Sequence, residues 1–213
     1  MKASELTIKK IPTGPWRENC YVVSHENRKS ILIDPGSDAD KIDDYLIKNR
    51  LNIIAIINTH GHFDHVGAVD YFKKKYDVEF YLHSSDKKLL RAANLYMKIF
   101  QGDEPIKIPD IDQYIDTLDS PVEIEEFRIF FIESPGHTDG SVCIKIEDAL
   151  FTGDTLLKNA IGRTDLPGGN DQRLKKSLDA IINLPSSIDI YPGHGKNTTI
   201  GNEEKNVMRH LGK

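Results

Sequence analysis

Three short loops hold five of the chain's eight histidines. They are Thr59-His60-Gly61-His62-Phe63-Asp64-His65, Pro135-Gly136-His137-Thr138-Asp139-Gly140 and Tyr191-Pro192-Gly193-His194-Gly195. A fourth loop, Phe151-Thr152-Gly153-Asp154-Thr155, adds an acid. Imidazole and carboxylate ligands suit Zn²⁺, Fe and Mn²⁺. Residues two apart in an extended chain point the same way, so His60 and His62 can share one ion. Asp64 and His65 follow a bend and reach a second ion beside it. The natural division is His60, His62 and His137 on one ion, Asp64, His65 and His194 on the other, and Asp154 bridging both. Two ions about 3.5–4 Å apart would hold a hydroxide between them, a strong nucleophile at neutral pH. His65 is expected to open a helix, where the positive end of the dipole keeps the ring a neutral ligand. At this chain's residue frequencies, H-x-H-x-D-H arises by chance in roughly one chain per thousand. That rarity, with three further loops of the same kind, outweighs the reading of ordinary core or surface histidines.

Each of these loops is expected to end a strand. Strand-like runs lie at Leu6 to Ile11, Tyr21 to Ser24, Ser30 to Ile33, Ile53 to Ile57 and Val78 to Leu82. In the second half they lie at Val122 to Ile124, Phe127 to Ile132, Val142 to Ile146, Leu150 to Thr152 and Ile188 to Tyr191. Helical periodicity follows Ser37 or Asp38 as N-cap, with Ile42, Tyr45 and Leu46 on one face, and follows Asp64 with Val66, Val69 and Phe72. Further helices are expected over Ser84 to Phe100, Leu174 to Ile182 and Asn202 to Leu211. Gln101 to Asp112 and Leu156 to Asn170 read as loops, and the segments Ser84 to Tyr114 and Leu156 to Asn170 are expected to rim the site. The same strand and helix grammar runs through both halves, which suggests two sheets with helices outside, in one domain over residues 1–213.

Composition narrows the function classes. With 28 basic against 33 acidic residues the net charge is −5, and no basic cluster offers a nucleic-acid surface. The longest apolar run, Ile53 to Ile57, is far too short to span a membrane, and Met1 to Pro12 shows no signal-peptide pattern. Two cysteines, Cys20 and Cys143, exclude a disulfide framework and a four-cysteine zinc site, and fit the reducing cytoplasm. Either a monomer or a homodimer is compatible with this composition.

The motifs resemble those of the metallo-β-lactamase fold superfamily over essentially the whole chain. The likeness rests on Thr59 to Gly67, Ser134-Pro135-Gly136-His137-Thr138, Thr152-Gly153-Asp154, Pro192-Gly193-His194-Gly195, Asn19-Cys20-Tyr21 and Ile31 to Gly36. It implies an α/β (α+β) fold, a four-layer αββα sandwich with metals at one sheet edge. Within the superfamily the chain is similar to the short, single-domain glyoxalase II-like hydrolases, whose loop resembles Ile161 to Gly169. That likeness implies hydrolysis of an anionic small-molecule thioester of the hydroxyacylglutathione class by two divalent ions, zinc first, with iron or manganese as alternatives. Asp64 then orients the attacking hydroxide or moves its proton, and Arg163 holds a substrate carboxylate, with Lys196 and Lys158 the other cations nearest the ligands. Two-domain glyoxalase II adds a C-terminal helical domain with basic residues, and this sequence has only about twenty residues after His194. Asp165 stands where the family has a tyrosine. Asp154 stands where β-lactamases of the commonest subclass carry cysteine. The rival is a persulfide dioxygenase. It shares a loop close to Gly162–Leu166 and binds one iron through residues matching His60, His137 and Asp154.

Other residues carry weaker expectations. Asp34 ends a strand and either orients a ligand histidine or caps a helix. His25, His83, His210, Trp16 and Tyr21 read as structural, and Asp139 as a loop acceptor.

Overall fold

The computed structural model describes residues 6–100 and 105–213. It divides into two compact units, one within Met1–Leu82 and Lys87–Tyr114, the other of His83–Asp86 and Ile115–Lys213.

The first unit is one six-stranded sheet in chain order: β1 (Thr7–Thr13), β2 (Glu18–Ser24), β3 (Lys29–Ile33), β4 (Asn52–Ile57), β5 (Glu79–Leu82) and β6 (Gln113–Tyr114). The first three strands pair antiparallel. From β3 onward the pairing is parallel, so each connection is a crossover. Helix α1 (Ala39–Asn49) makes the first crossover, and α2 (Phe63–Val66) with α3 (Val69–Tyr76) makes the next. Two short helices, α4 (Lys87–Arg91) and α5 (Ala93–Phe100), precede β6. Leu32 and Ile56 pack with Ile42, Leu46, Val69 and Phe72 from the helices. Ile31, Ile33, Ala55 and Ile57, on the opposite face, are buried too. Burial on both faces explains why β3 and β4 read as unbroken apolar runs.

The second unit also opens on antiparallel strands but contains a single parallel pairing. Strands β7 (Val122–Ile124), β8 (Phe127–Glu133), β9 (Val142–Ile146) and β10 (Ala149–Gly153) are antiparallel neighbours. A small hairpin follows, β11 (Leu156–Leu157) with β12 (Ala160–Ile161). Helix α6 (Asp171–Ile182) then crosses to β13 (Asp189–Pro192), which lies parallel to β10. Strand β14 (Thr198–Thr199) and α7 (Ile200–Leu211) complete the unit. Leu150 and Ile190 pack under Leu174, Leu178, Ile181 and Val207.

Several expected boundaries move. Helices α6 and α7 start earlier than apolar periodicity indicates, because the Asn170 and Thr199 side chains cap them by accepting from Arg173 N and Asn202 N. Asp38 occupies the α1 cap position, but its carboxylate accepts from Gly14 N at 3.1 Å and caps nothing. The expected Ser84 to Phe100 helix is three pieces: a 3₁₀ turn at Ser84–Asp86, then α4 and α5. The break falls at Ala92, whose N–H is shared between the Lys88 and Leu89 carbonyls. The Leu156 to Asn170 loop contains the β11–β12 hairpin. Part of the Gln101 to Asp112 loop, residues 101–104, lies outside the described residues, as do residues 1–5 of the N-terminal reading. No helix among the described residues is long and apolar enough to cross a membrane.

A polar cluster ties α1 to α3. Buried Asp43 accepts from Tyr76 Oη at 2.7 Å and from Lys75 Nζ. Burial opposes its charge, but these hydrogen bonds prevail and hold its carboxyl below the usual range. A lowered folded pKa stabilises above the unfolded value of about 4, and that stability is lost as pH falls through the folded value. Asp43→Asn is therefore expected to cost about 1–2 kcal/mol at pH 7. In urea melts the gap from wild type should close below about pH 4; a gap independent of pH would contradict the assignment.

Candidate metal centre

Most candidate ligands follow the C-terminal ends of parallel-paired strands, and His137 follows the antiparallel β8. In the first unit, Asp34 directly follows β3 and β4 runs into Asn58–His62. Asp34 is buried and takes a left-handed φ of 49°. Its Oδ1 accepts from Thr59 N at 2.7 Å, and its Oδ2 accepts from Thr59 Oγ1 at 2.6 Å. The same Oδ2 lies 3.1 Å from His65 Nδ1. A carboxylate only accepts, so His65 carries its proton on Nδ1 and turns Nε2 outward as the ligand atom. Thr59 Oγ1 has spent its hydrogen on Asp34 and sits 3.0 Å from His60 Nδ1. His60 therefore donates from Nδ1 as well and also leaves Nε2 to a metal. Asp34, His60 and His65 offer donor atoms within 4.8 Å of one another. Asp34 faces the inward nitrogens, so it orients both rings, one of them through Thr59.

His62 is the N-cap of α2 in extended conformation, and its ring meets His60 edge-on at 4.8 Å between centroids. The two imidazoles lie on one side, as their spacing requires. Asp64 Oδ2 lies 4.0 Å from His65 Nε2. His65 is the third residue of a four-residue helix rather than the opening of a long one. The dipole of so short a helix is small, and Asp34 is what sets the ring. Two further contacts fix the loop. Asn58 Nδ2 donates to the His65 carbonyl at 2.7 Å. Gly36 passes so close that a Cβ there would sit 1.7 Å from the Asp64 carbonyl oxygen. Glu18 is buried 3.9 Å from His65 Nδ1 and accepts from Thr13 Oγ1 at 2.7 Å. Burial pushes its carboxyl well above the usual carboxylate range, with His65 acting in the opposite direction.

In the second unit, His137 Nε2 and His194 Nε2 each lie 3.6 Å from Asp154 Oδ2. Three expected ligands from three loops thus meet within this unit. His137 Nδ1 donates to the Arg163 carbonyl at 2.8 Å, which fixes its tautomer as Asp34 fixes that of His65. Gly162 allows this approach: a Cβ there would meet the Asp154 carbonyl oxygen at 1.8 Å and the His137 side chain at 3.3 Å. The donors of both units are imidazoles and carboxylates in narrow cradles, which suits divalent first-row metal ions.

A family model for the metallo-β-lactamase superfamily matches residues 13–194. The chain belongs to the metallo-β-lactamase superfamily. It is 34% identical over 200 residues to "Probable metallo-hydrolase YqgX" of Bacillus subtilis (strain 168), covering 92% of this chain and 93% of that protein. It is 30% identical over 208 residues to "Hydroxyacylglutathione hydrolase GloC" of Haemophilus influenzae (strain ATCC 51907 / DSM 11121 / KW20 / Rd), covering 94% and 96%. Among solved structures it is similar to the BLEG-1 B3 metallo-β-lactamase, with a TM-score of 0.88 and 35% identity over 93% of this chain and 97% of that one. It is also similar to TTHA1623 in a di-iron-bound form, at a TM-score of 0.83 and 32% identity over 93% and 98%. The two mixed sheets with their helices are those of the metallo-β-lactamase fold.

The remaining expected residues divide by environment. Arg163 is not an open cation: Nε and Nη2 bind Asp165 Oδ1 and Oδ2 at 2.7 and 2.8 Å. This fork pulls the Asp165 carboxyl down to about 2. Lys196 and Lys158 are exposed. His83 Nδ1 accepts from Ser85 N at 3.1 Å, and His210 Nε2 pairs with Asp171 at 3.2 Å, so both have structural partners. Asp139 pairs with Arg173. Cys20 and Cys143 are buried thiols, and burial pushes Cys143 up to about 12. Neither is a poised nucleophile.

One residue had no sequence signal at all. Asp86 is buried, and its carboxylate accepts from Thr138 Oγ1 and Gly140 N at 2.8 Å each. It clamps the His137 loop across a separation of 52 residues. Asp86→Ala strands two buried donors and is expected to cost about 3 kcal/mol in denaturant unfolding. Asp86→Asn keeps one acceptor and should lose less than half of that. The Arg163–Asp165 fork yields a second expectation. Asp165→Ala frees the guanidinium and should lower KM for a carboxylate-bearing substrate, whereas Arg163→Ala should raise it. An unchanged KM in both variants would exclude a substrate role for this arginine.

Proposed function

We propose that the chain is a metal-dependent thioester hydrolase of the hydroxyacylglutathione hydrolase class. In this reading its two divalent ions take ligands from His60, His62 and His137 on one side and Asp64, His65 and His194 on the other, with Asp154 shared. One observation carries the reading: every expected imidazole and carboxylate of the superfamily's donor set is present, and those within each unit stand beside one another. The 30% identity to GloC over nearly its full length supports the thioester class.

A bound metal pair polarises the thioester carbonyl and lowers the pKa of a water molecule. The chain's residues do the rest. Asp34, acting on His65 directly and on His60 through Thr59, holds both Nε2 atoms outward. The Arg163 carbonyl does the same for His137. Asp64 accepts the proton that the water gives up. The water oxygen bonds to the acyl carbon, and the carbon–sulfur bond breaks with its electron pair on sulfur. The sulfur takes up the proton, and the products are a carboxylic acid and a thiol. Lys196 attracts the carboxylates of an anionic thiol carrier, and Arg163 joins it once Asp165 gives up its fork. Donor chemistry accepts zinc, iron or manganese alike, and zinc suits a departing thiolate.

The Gly162-Arg163-Thr164-Asp165-Leu166 loop favours a second reading, an iron-dependent persulfide dioxygenase. Zinc-loaded and iron-loaded protein separate the two. The zinc form should hydrolyse S-lactoylglutathione with kcat/KM in the range of about 10⁴–10⁸ M⁻¹s⁻¹ typical of enzymes, and His60→Ala should abolish turnover. Oxygen uptake by the iron form with a persulfide, or nitrocefin hydrolysis without thioester turnover, would overturn the proposal.

A further inference from the structure

A cavity of about 360 Å³ lies entirely within the first unit, between α4 and the segment that leads into β6. That volume falls in the range of small-molecule sites. Lys87 and Arg91 line one side, one helical turn apart on α4 and so on the same face. Lys87 is half-buried, and its Nζ lies 5.3 Å from the centroid of the Tyr114 ring, which also lines the cavity. The negative face of that ring attracts the ammonium and holds it against the cavity wall. Among the described residues, neither Lys87 nor Arg91 forms an ion pair. Two like charges at this spacing repel, and no carboxylate of the described residues offsets them. Asp110 is the single acid of the lining; it is exposed, and its backbone carbonyl accepts from Lys73 Nζ at 2.7 Å. Leu90, Ile108 and Ile111 also line the cavity and pack with the core of this unit, which anchors that part of the wall.

We infer that this cavity is a second binding site, for a small monocarboxylate with an apolar body. None of its lining residues is a candidate metal ligand, and the inference does not depend on the hydrolase reading. Three observations select this ligand. First, two cations and one acid leave one net positive charge, the complement of a single carboxylate. A dianionic phosphate would place surplus negative charge in a cavity that already holds Asp110. Second, the planar guanidinium of Arg91 suits a carboxylate through two parallel hydrogen bonds, and the Lys87 ammonium adds a point charge beside it. Third, Leu90, Ile108 and Ile111 offer nothing to a polar body, whose groups would lose their hydration against them without gaining a hydrogen bond. A neutral or cationic ligand would leave both cations uncompensated.

Benzoate is the probe, titrated into the zinc-loaded full chain and followed by backbone amide chemical shifts. Saturable shifts should map to Lys87–Arg91 and residues 108–114, and should persist in the metal-free protein. Arg91→Gln and Lys87→Gln should each weaken benzoate about fivefold, the upper end for a solvent-exposed ion pair. Lys88→Gln removes an exposed lysine of the same helix that does not line the cavity, and should leave the affinity unchanged. Asp110→Asn should tighten benzoate, and should improve phenyl phosphate by a larger factor, because it removes the one opposing charge. Benzyl alcohol and benzamidine keep the ring without the carboxylate and should bind more weakly than benzoate. Equal binding of benzyl alcohol would overturn the proposal, since apolar contact alone would then explain the site. So would a preference of the wild-type protein for phenyl phosphate, which contradicts the charge count. Loss of affinity in Lys88→Gln equal to that in Arg91→Gln would reduce the effect to diffuse attraction and overturn it. Shifts confined to the three histidine loops and abolished by metal removal would assign the carboxylate to the metal centre, and no saturable shift would leave no site; either result overturns the inference.

Discussion

A single buried carboxylate sets the geometry of the first ligand loop. Asp34 has only acceptors to offer, and four hydrogen-bonding groups depend on them: the Thr59 amide, the Thr59 hydroxyl, His65 directly and His60 through the hydroxyl. An imidazole can present either nitrogen to a metal, and in solution both tautomers exchange. Asp34 removes that choice for two rings at once. The strained φ at Asp34 and the close pass of Gly36 over Asp64 are the local costs of bringing β3 and β4 to the same point.

The second unit reaches the same end with different chemistry. A backbone carbonyl, that of Arg163, orients His137 by accepting from its Nδ1. Asp86 instead holds the loop itself, through Thr138 and Gly140. Asp154 follows β10 as Asp34 follows β3, and His194 follows β13 as His60 follows β4. Each pair of strands is parallel, so the two loop ends leave the sheet on the same edge. Functional groups in open sheets gather there because side chains and strand-end amides converge at that edge without further folding.

Substrate choice lives in parts that vary more freely than these loops. The Arg163 fork onto Asp165 shows how one nearby residue can withdraw a cation from service: the same guanidinium cannot hold two carboxylates bidentately.

The sequence by itself determined the longer strands, their buried character and the kinds of donor at their ends, while the two-residue strands β6 and β14 carried no pattern. Apolar runs such as Ile53 to Ile57 and Val142 to Ile146 need only local pattern to be read, and H-x-H-x-D-H places its side chains by chain geometry alone. The starts of α6 and α7 were less legible, because Asn170 and Thr199 announce a cap only once the backbone has turned. The broken Ser84–Phe100 segment, the missing side-chain cap at Asp38 and the β11–β12 hairpin were likewise decided by contacts outside each segment. What only the tertiary structure decided is which nitrogen each histidine presents and what holds it there. Asp34 and Thr59 are 25 residues apart, and Asp86 and Thr138 are 52 apart. No periodicity links such positions, since a hydrogen bond depends on distance in space and leaves no trace in spacing along the chain.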